Sequence, residues 1–311
     1  MNAAATQISA DGFRTLFESV RNWGRWGERG ERGALNNLTA DRIAAAARLV
    51  RSGVTVTLSH PLRTEGRIDC PEPADHRMTM LPDVDTGSGS VRFAKDYVGL
   101  DYHNDGHSHV DAFSHVTYNG LLYGGKPSES VTSDGAEVGA IDLLEDGLVG
   151  RGVLLDIPRL RGVPWLEPGE HVFREDLEAA EREQGVSVST GDILLVRTGH
   201  ARRLAELEPW DTGKAKAGLH PTTAAFLGER SVAALGSDGN NDTAPSSTDG
   251  VGFPIHVLAI NAMGIHLLDY LQFEDLVPRC AEAGRWEFLF VAAPLRIVGG
   301  TGSPLNPIAV L

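Results

Sequence analysis

Cysteine is almost missing from this 311-residue chain: Cys70 and Cys280 are the only two, too few for a disulfide framework or a Cys-rich zinc site. No run approaches the ~18 consecutive apolar residues that a bilayer-spanning helix needs. Basic residues are outnumbered: 28 Lys and Arg against 42 Asp and Glu leave a formal charge of −14, with no Lys/Arg cluster. Such a chain is a poor ligand for nucleic acid and for anionic membranes. Residues 1–20 lack a basic stretch followed by an apolar one, so no secretory leader is expected. Glycine runs such as Gly87-Ser88-Gly89 carry neither a P-loop lysine nor dinucleotide-binding spacing. Ser237 lies outside any G-x-S-x-G elbow, and neither cysteine has a His-pairing motif. These absences leave the expectation of a soluble, cytoplasmic protein.

What is present is ordinary globular material, 41% hydrophobic and 23% charged, with 36 glycines that favour tight turns over a helical bundle. Thr39 reads as the N-cap of a helix over residues 41–50, with Gly53 as the stop. Residues 54–58 alternate Val and Thr as a strand does. Residues 152–157 and 192–197 are short apolar runs with Gly or Pro close by, which reads as buried strands. Between them, residues 174–184 form a charged amphipathic helix stopped by Gly185. A short helix over 221–229 leads into a strand at 232–235, and 287–291 reads as a late strand. Residues 61–91, rich in Pro, Gly, Asp and Thr, read as one long irregular loop. The alternation predicts a single α/β domain, residues 1–311, built on a mixed sheet.

The chemistry concentrates in one place. Four of the 11 histidines (His103, His107, His109 and His115) fall within 13 residues, where scatter would put roughly half a histidine. If the chain is extended up to Asp111, then Asp105, His107, His109 and Asp111 share one face. A helical turn starting near Asp111 returns His115 to the same side. Imidazoles with carboxylates suit a borderline divalent cation such as Zn²⁺, Mn²⁺ or Fe²⁺. Distant partners are needed to complete such a site. His256 opens an apolar, helix-like run over 257–263, with His266 as a rival for its role, and Asp269 follows in a stretch where an unpaired acid is costly. Gly236-Ser237-Asp238 offers one more acid at a strand end. Trp23, Trp26, Phe113 and Tyr118 are candidate pocket walls.

Gly106-His107-Ser108-His109-Val110-Asp111-Ala112-Phe113-Ser114-His115 resembles the H-x-G-T-H-x-D-x-x-x-H signature of the cyclase-like, kynurenine-formamidase-type metal hydrolases. His256 and Asp269 resemble that family's second His and following acid. Asn22-Trp23-Gly24-Arg25-Trp26-Gly27, Leu195-Val196-Arg197-Thr198-Gly199 and Thr301-Gly302-Ser303-Pro304-Leu305-Asn306-Pro307 are similar to its longer bacterial and fungal branch, and read as fold identity with little chemistry. The resemblance implies a swivelling β/β/α fold with a mixed central sheet, and a homodimer or homotetramer. It implies hydrolysis of a small amide, lactone or cyclic imide with one or two Zn²⁺ or Mn²⁺ ions. His109, Asp111, His256 and Asp269 would be ligands, and His115 the acid/base or a ligand of a second ion. The signature's first His is Asp105 here, and its final Glu is Asp269. Asp105 keeps a ligating group, with His103 or His107 as replacements. Cyclisation or dehydration of a natural-product intermediate, and metal or ligand binding without catalysis, are the alternative readings.

Overall fold

Short apolar runs need neighbours on both edges. In the computed structural model, which describes residues 7–311, they find them in one nine-stranded mixed sheet. Its centre is four parallel strands, Leu148–Asp156, Ile193–Arg197, Ala234–Ser237 and His266–Asp269. The last three are buried at every position, as both-face coverage demands. Glu287–Ala292 joins Leu148–Asp156 antiparallel, and Ile308–Val310 and Thr55–Thr57 extend that edge. On the opposite side His109–Asp111 pairs antiparallel with His266–Asp269, and Gly302–Pro304 forms the far edge. The arrangement is the swivelling β/β/α fold with a mixed central sheet.

Local signals set the helices. The Thr39 hydroxyl accepts from the Arg42 amide to start Ala40–Ala47. Arg174–Gln184 buries Leu177 and Ala180 and ends on Gly185 at φ 63°, a left-handed turn that a side chain would strain. Asp238, at the end of its strand, accepts from the backbone amides of Thr198, Gly199 and His200, which caps helix His200–Glu206. Asp238 is therefore a structural acid.

Two expectations change. Residues 61–91 are not one irregular loop, because Asp75–Met80 forms a hairpin with Lys95–Gly99. That hairpin is exposed on both faces, so it carries no apolar alternation to read. The run after His256 is helical, but Val257–Ala262 is a π turn. The Asn261 side chain inside it donates to the carbonyls of Val116 and Leu121, which ties the turn to the chain leaving the histidine cluster. Among the described residues, no helix is long and apolar enough to cross a membrane.

Burial sets a pH dependence. Desolvation pushes the His200 pKa down to about 3, against the pull of Asp105. It pushes His266 to about 4, against the Asp111 carbonyl and carboxylate. Both stay neutral in the fold but take up a proton near 6.5 when unfolded, so stability is complete above that pH and falls below it. Each costs about 2 kcal/mol by pH 5. Denaturant unfolding at pH 7 and pH 5 will show this loss, and H200Q will shrink it by about 2 kcal/mol. An undiminished loss in H200Q would remove His200 from the account.

Candidate metal centre

Strand register builds the core of the site. Asp269 stands directly opposite His109 in an antiparallel pair, so their side chains share a face, and Asp111, two residues on, returns to it. Ser108 fixes the approach, with its hydroxyl donating to the Tyr270 carbonyl at 2.5 Å and accepting from the His60 amide. His256 arrives from the start of the π turn, and its ring is aimed from behind. Asp242 accepts from the His256 amide and from Nδ1 at 2.6 Å, leaving Nε2 to face Asp111 and Asp269, each at 3.4 Å.

The other imidazoles are committed in the same way. His109 donates from Nδ1 to the His107 carbonyl at 2.8 Å, which turns Nε2 toward Asp111 at 3.5 Å. His103 meets the Thr301 hydroxyl through Nε2 at 3.0 Å and sets Nδ1 2.9 Å from Asp111. One atom from each of His103, His109 and Asp111 lies within 4.8 Å of the others, as do those of Asp111, His256 and Asp269. Asp111 belongs to both groups and is fully buried, yet neither of its oxygens has a hydrogen-bond partner. Imidazole nitrogens converging on a buried carboxylate that makes no hydrogen bond fit the donor set of a divalent cation, and each ring's second nitrogen is held by a protein group, as metal-bound histidines require. Burial alone would raise the Asp111 pKa, but His103 and His256 hold it well below the usual carboxylate range. Burial opposes charge on His256, and Asp111, Asp242 and Asp269 outweigh it, so its pKa rises. The proton held there is the charge that a metal ion would displace.

His115 ends a single 3-10 turn, Phe113–His115, and stacks on His103 with ring centroids 3.8 Å apart. Burial lowers its pKa to about 4 against the pull of Asp111, so it is a neutral base at pH 7. His103, His109, His115 and His256 open on a cavity of about 990 Å³ with Tyr118 and Phe253 on its walls.

Several expected residues lie elsewhere. The strand covers only His109–Asp111, because Asn104 accepts from the Gly106 amide and turns the preceding chain. The one-face alternation therefore fails before His109. His107 is buried near the Glu72 backbone and Arg63, outside the cavity lining. Asp105 is not in either ligand group: it accepts from Thr212 at 2.6 Å, from Lys216 and from the Tyr270 hydroxyl. Trp23, Trp26 and Phe113 are not walls of this cavity. Trp23 donates to the Asn261 carbonyl at 2.7 Å, Trp26 packs on the core, and Phe113 stacks on His266 at 4.2 Å. His266 donates to the Asp111 carbonyl and stays outside both groups.

Other residues had no visible role in the sequence. Asn240 and Asn241 hold Asp269, at 2.7 and 2.5 Å. Thr301 orients His103, and a Cβ at Gly302 would meet the His103 ring at 2.7 Å. The 301–307 segment therefore shapes the site as well as the fold. The signals were a polar Asn-Asn-Asp run after a strand and a glycine with no turn beside it.

The model of the family described as "Putative cyclase" matches residues 43–241. The chain belongs to that family. A crystal structure described as a novel cyclase is 34% identical to this cyclase-family chain, covering 94% of it and 99% of that chain, with a TM-score of 0.86. Isatin hydrolase A from Ralstonia solanacearum is 22% identical over 88% of this chain and 96% of that one, with a TM-score of 0.60. A predicted metal-dependent hydrolase from Bacillus stearothermophilus is 17% identical over 82% and 97%, with a TM-score of 0.53. The last two establish likeness of fold. Comparison with curated proteins gives no match.

Two substitutions probe the supports of the site. D242A removes the acceptor that fixes the His256 ring, and divalent-metal affinity measured by competition with a chelator will fall roughly 10–100-fold. G302A will set a Cβ 2.5 Å from the Val110 carbonyl and 2.7 Å from the His103 ring, and will weaken the same affinity. Unchanged affinity in either variant would remove that residue from the support of the site.

Proposed function

We propose that this chain is a divalent-metal-dependent hydrolase of a small amide, lactone or cyclic imide, using one or two Zn²⁺ or Mn²⁺ ions. The observation that carries the reading is the buried, donorless Asp111 carboxylate faced by His103, His109 and His256. Those four residues with Asp269 would hold the ion, which when bound supplies Lewis acidity toward water and a carbonyl oxygen. His115 is neutral at working pH and faces the cavity, so it takes a proton from the attacking water and returns it to the departing nitrogen or oxygen. The cavity, at about 990 Å³, has the size of a small-molecule site. The hydrolases of like fold agree with this chemistry. Exposed Met78, Phe93, Tyr97 and Val98 on and beside the 75–99 hairpin support a homo-oligomer.

Elemental analysis of the purified protein, with turnover of a panel of formamides, lactones and cyclic imides in H₂¹⁸O, tests the proposal. Wild type will hold metal and place ¹⁸O in the product. D111N will lose the metal and at least ~10³-fold in turnover, whereas H115A will keep the metal and lose ~10²–10⁴-fold. Full metal content in D111N would refute the site. A ring-closed or dehydrated product without ¹⁸O would assign the site to cyclisation or dehydration.

A further inference from the structure

Among the described residues, three other than glycine have a positive φ: Asn119 at 50°, Ser231 at 53° and Tyr270 at 54°. Two of them stand where the fold calls for that backbone. Asn119 and Gly120 make the two-residue turn between Tyr118 and Leu121, whose backbones bond to each other in both directions. Asn-Gly is a favoured pair for such a turn. Ser231 closes the C-terminus of helix Thr223–Arg230. Tyr270 has neither reason. It follows Asp269 directly, at the end of strand His266–Asp269. A bulky side chain on left-handed backbone is an outlier that its surroundings must over-determine, and such residues cluster at functional sites.

Every polar group of Tyr270 is held. Its amide donates to the Gly239 carbonyl at 2.9 Å, and its carbonyl accepts from the Ser108 hydroxyl at 2.5 Å. Its phenol donates to Asp105 and accepts from the Lys216 ammonium at 3.2 Å. Asp105 and Lys216 bind each other at 3.2 and 3.4 Å, and Asp105 also accepts from Thr212. The phenol thus ends in a closed network. The ring, on a residue 3% exposed, lies at 29° to the His109 ring with centroids 6.4 Å apart, and meets His200 edge-on at 5.5 Å.

These contacts touch two residues of the metal centre at once. Asp269 opposite His109 is the last pair of its ladder, and the left-handed step at Tyr270 takes the chain out of the strand there. His109 is held through Nδ1 by the His107 carbonyl. A bond at one nitrogen leaves a ring free to turn about that bond, and the flat face of Tyr270 restricts the turn. We propose that Tyr270 is a positioning residue of the metal centre: its strained backbone ends the strand at Asp269, and its clamped ring sets the plane of His109. This inference rests on the metal-dependent reading of the site.

The test reads metal binding and stability, not turnover. Divalent-metal affinity is measured by competition with a chelator, the absorption spectrum is recorded with Co²⁺ as the probe, and denaturant unfolding is followed in metal-free protein. Y270A and Y270G both remove the ring and will bind metal roughly tenfold or more weakly, with an altered Co²⁺ spectrum. Y270L fills the volume without a flat face and will show the same loss, which keeps the test open if a smaller side chain fails to fold. Y270F keeps the flat face and will stay close to wild type in affinity and spectrum. Metal-free Y270G will unfold at a higher denaturant concentration than metal-free Y270A, because glycine adopts the left-handed backbone without strain. A merely structural tyrosine would move the unfolding curves and leave affinity and spectrum alone. Wild-type affinity and spectrum in Y270L and Y270G, an equal loss in Y270F, or a Y270A at least as stable as Y270G would overturn the inference while leaving the metal centre standing. A wild type that binds no divalent metal would defeat the metal-dependent reading, and this inference with it.

Discussion

The Asp111 carboxylate is fully buried, neither of its oxygens makes a hydrogen bond, and three imidazoles stand within 2.9–3.5 Å of it. Removing an ionised carboxylate from water without a partner costs far more than a domain's net stability can absorb. In the protein alone the charge is balanced by the imidazoles around it, a place that a divalent cation would take. The other buried acids of the region are already satisfied: Asp242 by the Ile255 and His256 amides, Asp269 by Asn240 and Asn241, and Asp238 by a helix N-terminus. Among the described residues, Asp111 is the only acid with buried oxygens left unpartnered. The imidazoles turned toward it are fixed in direction, because their other nitrogens are held by a carbonyl, a carboxylate and a hydroxyl.

The fold delivers this arrangement through backbone pairing. His109 and Asp269 are matched by strand register, which a one-residue slip would turn to opposite faces. Gly302 faces Asp111 across the next pair, and its missing side chain leaves room for the His103 ring. His256 comes from a π turn whose Asn261 side chain anchors it to the segment beyond His115. Extra-wide turns of this kind widen a helix locally and recur at functional sites.

The sequence made the converging His and Asp side chains legible and the residues that orient them illegible, for identifiable reasons. His109, Asp111 and His115 were readable because strand alternation and one helical turn are short-range rules. His256 and Asp269 were readable as polar groups in apolar surroundings, and the helix Arg174–Gln184 as a period closed by glycine. Asp105 and His107 leave the shared face because the Asn104 side chain accepts from the Gly106 amide and turns the chain before the strand begins at His109. Trp23, Trp26 and Phe113 misled because a large ring beside a signature motif serves the core as well as a pocket wall. Asp242, Thr301 and Gly302 act through the orientation of another residue's ring, and no local pattern encodes that. The family resemblance held over the fold, and its signature departed at position 105.

That departure is accounted for by two linked placements. At position 105, where the signature has an imidazole, the carboxylate is bound by Lys216, Thr212 and Tyr270 and is displaced from the cluster. The same turn lifts His103 over Gly302 and sets its Nδ1 beside Asp111, with Thr301 behind it and His115 stacked on its face. An imidazole nitrogen thereby faces Asp111 while the acid pairs with a lysine. An acid left at the centre beside Asp111 and Asp269 would have added a third negative charge to a buried site, at a desolvation cost that one divalent ion cannot offset. Moved beside Lys216, it forms a neutral pair in the same cavity, with its oxygens also met by Thr212 and Tyr270.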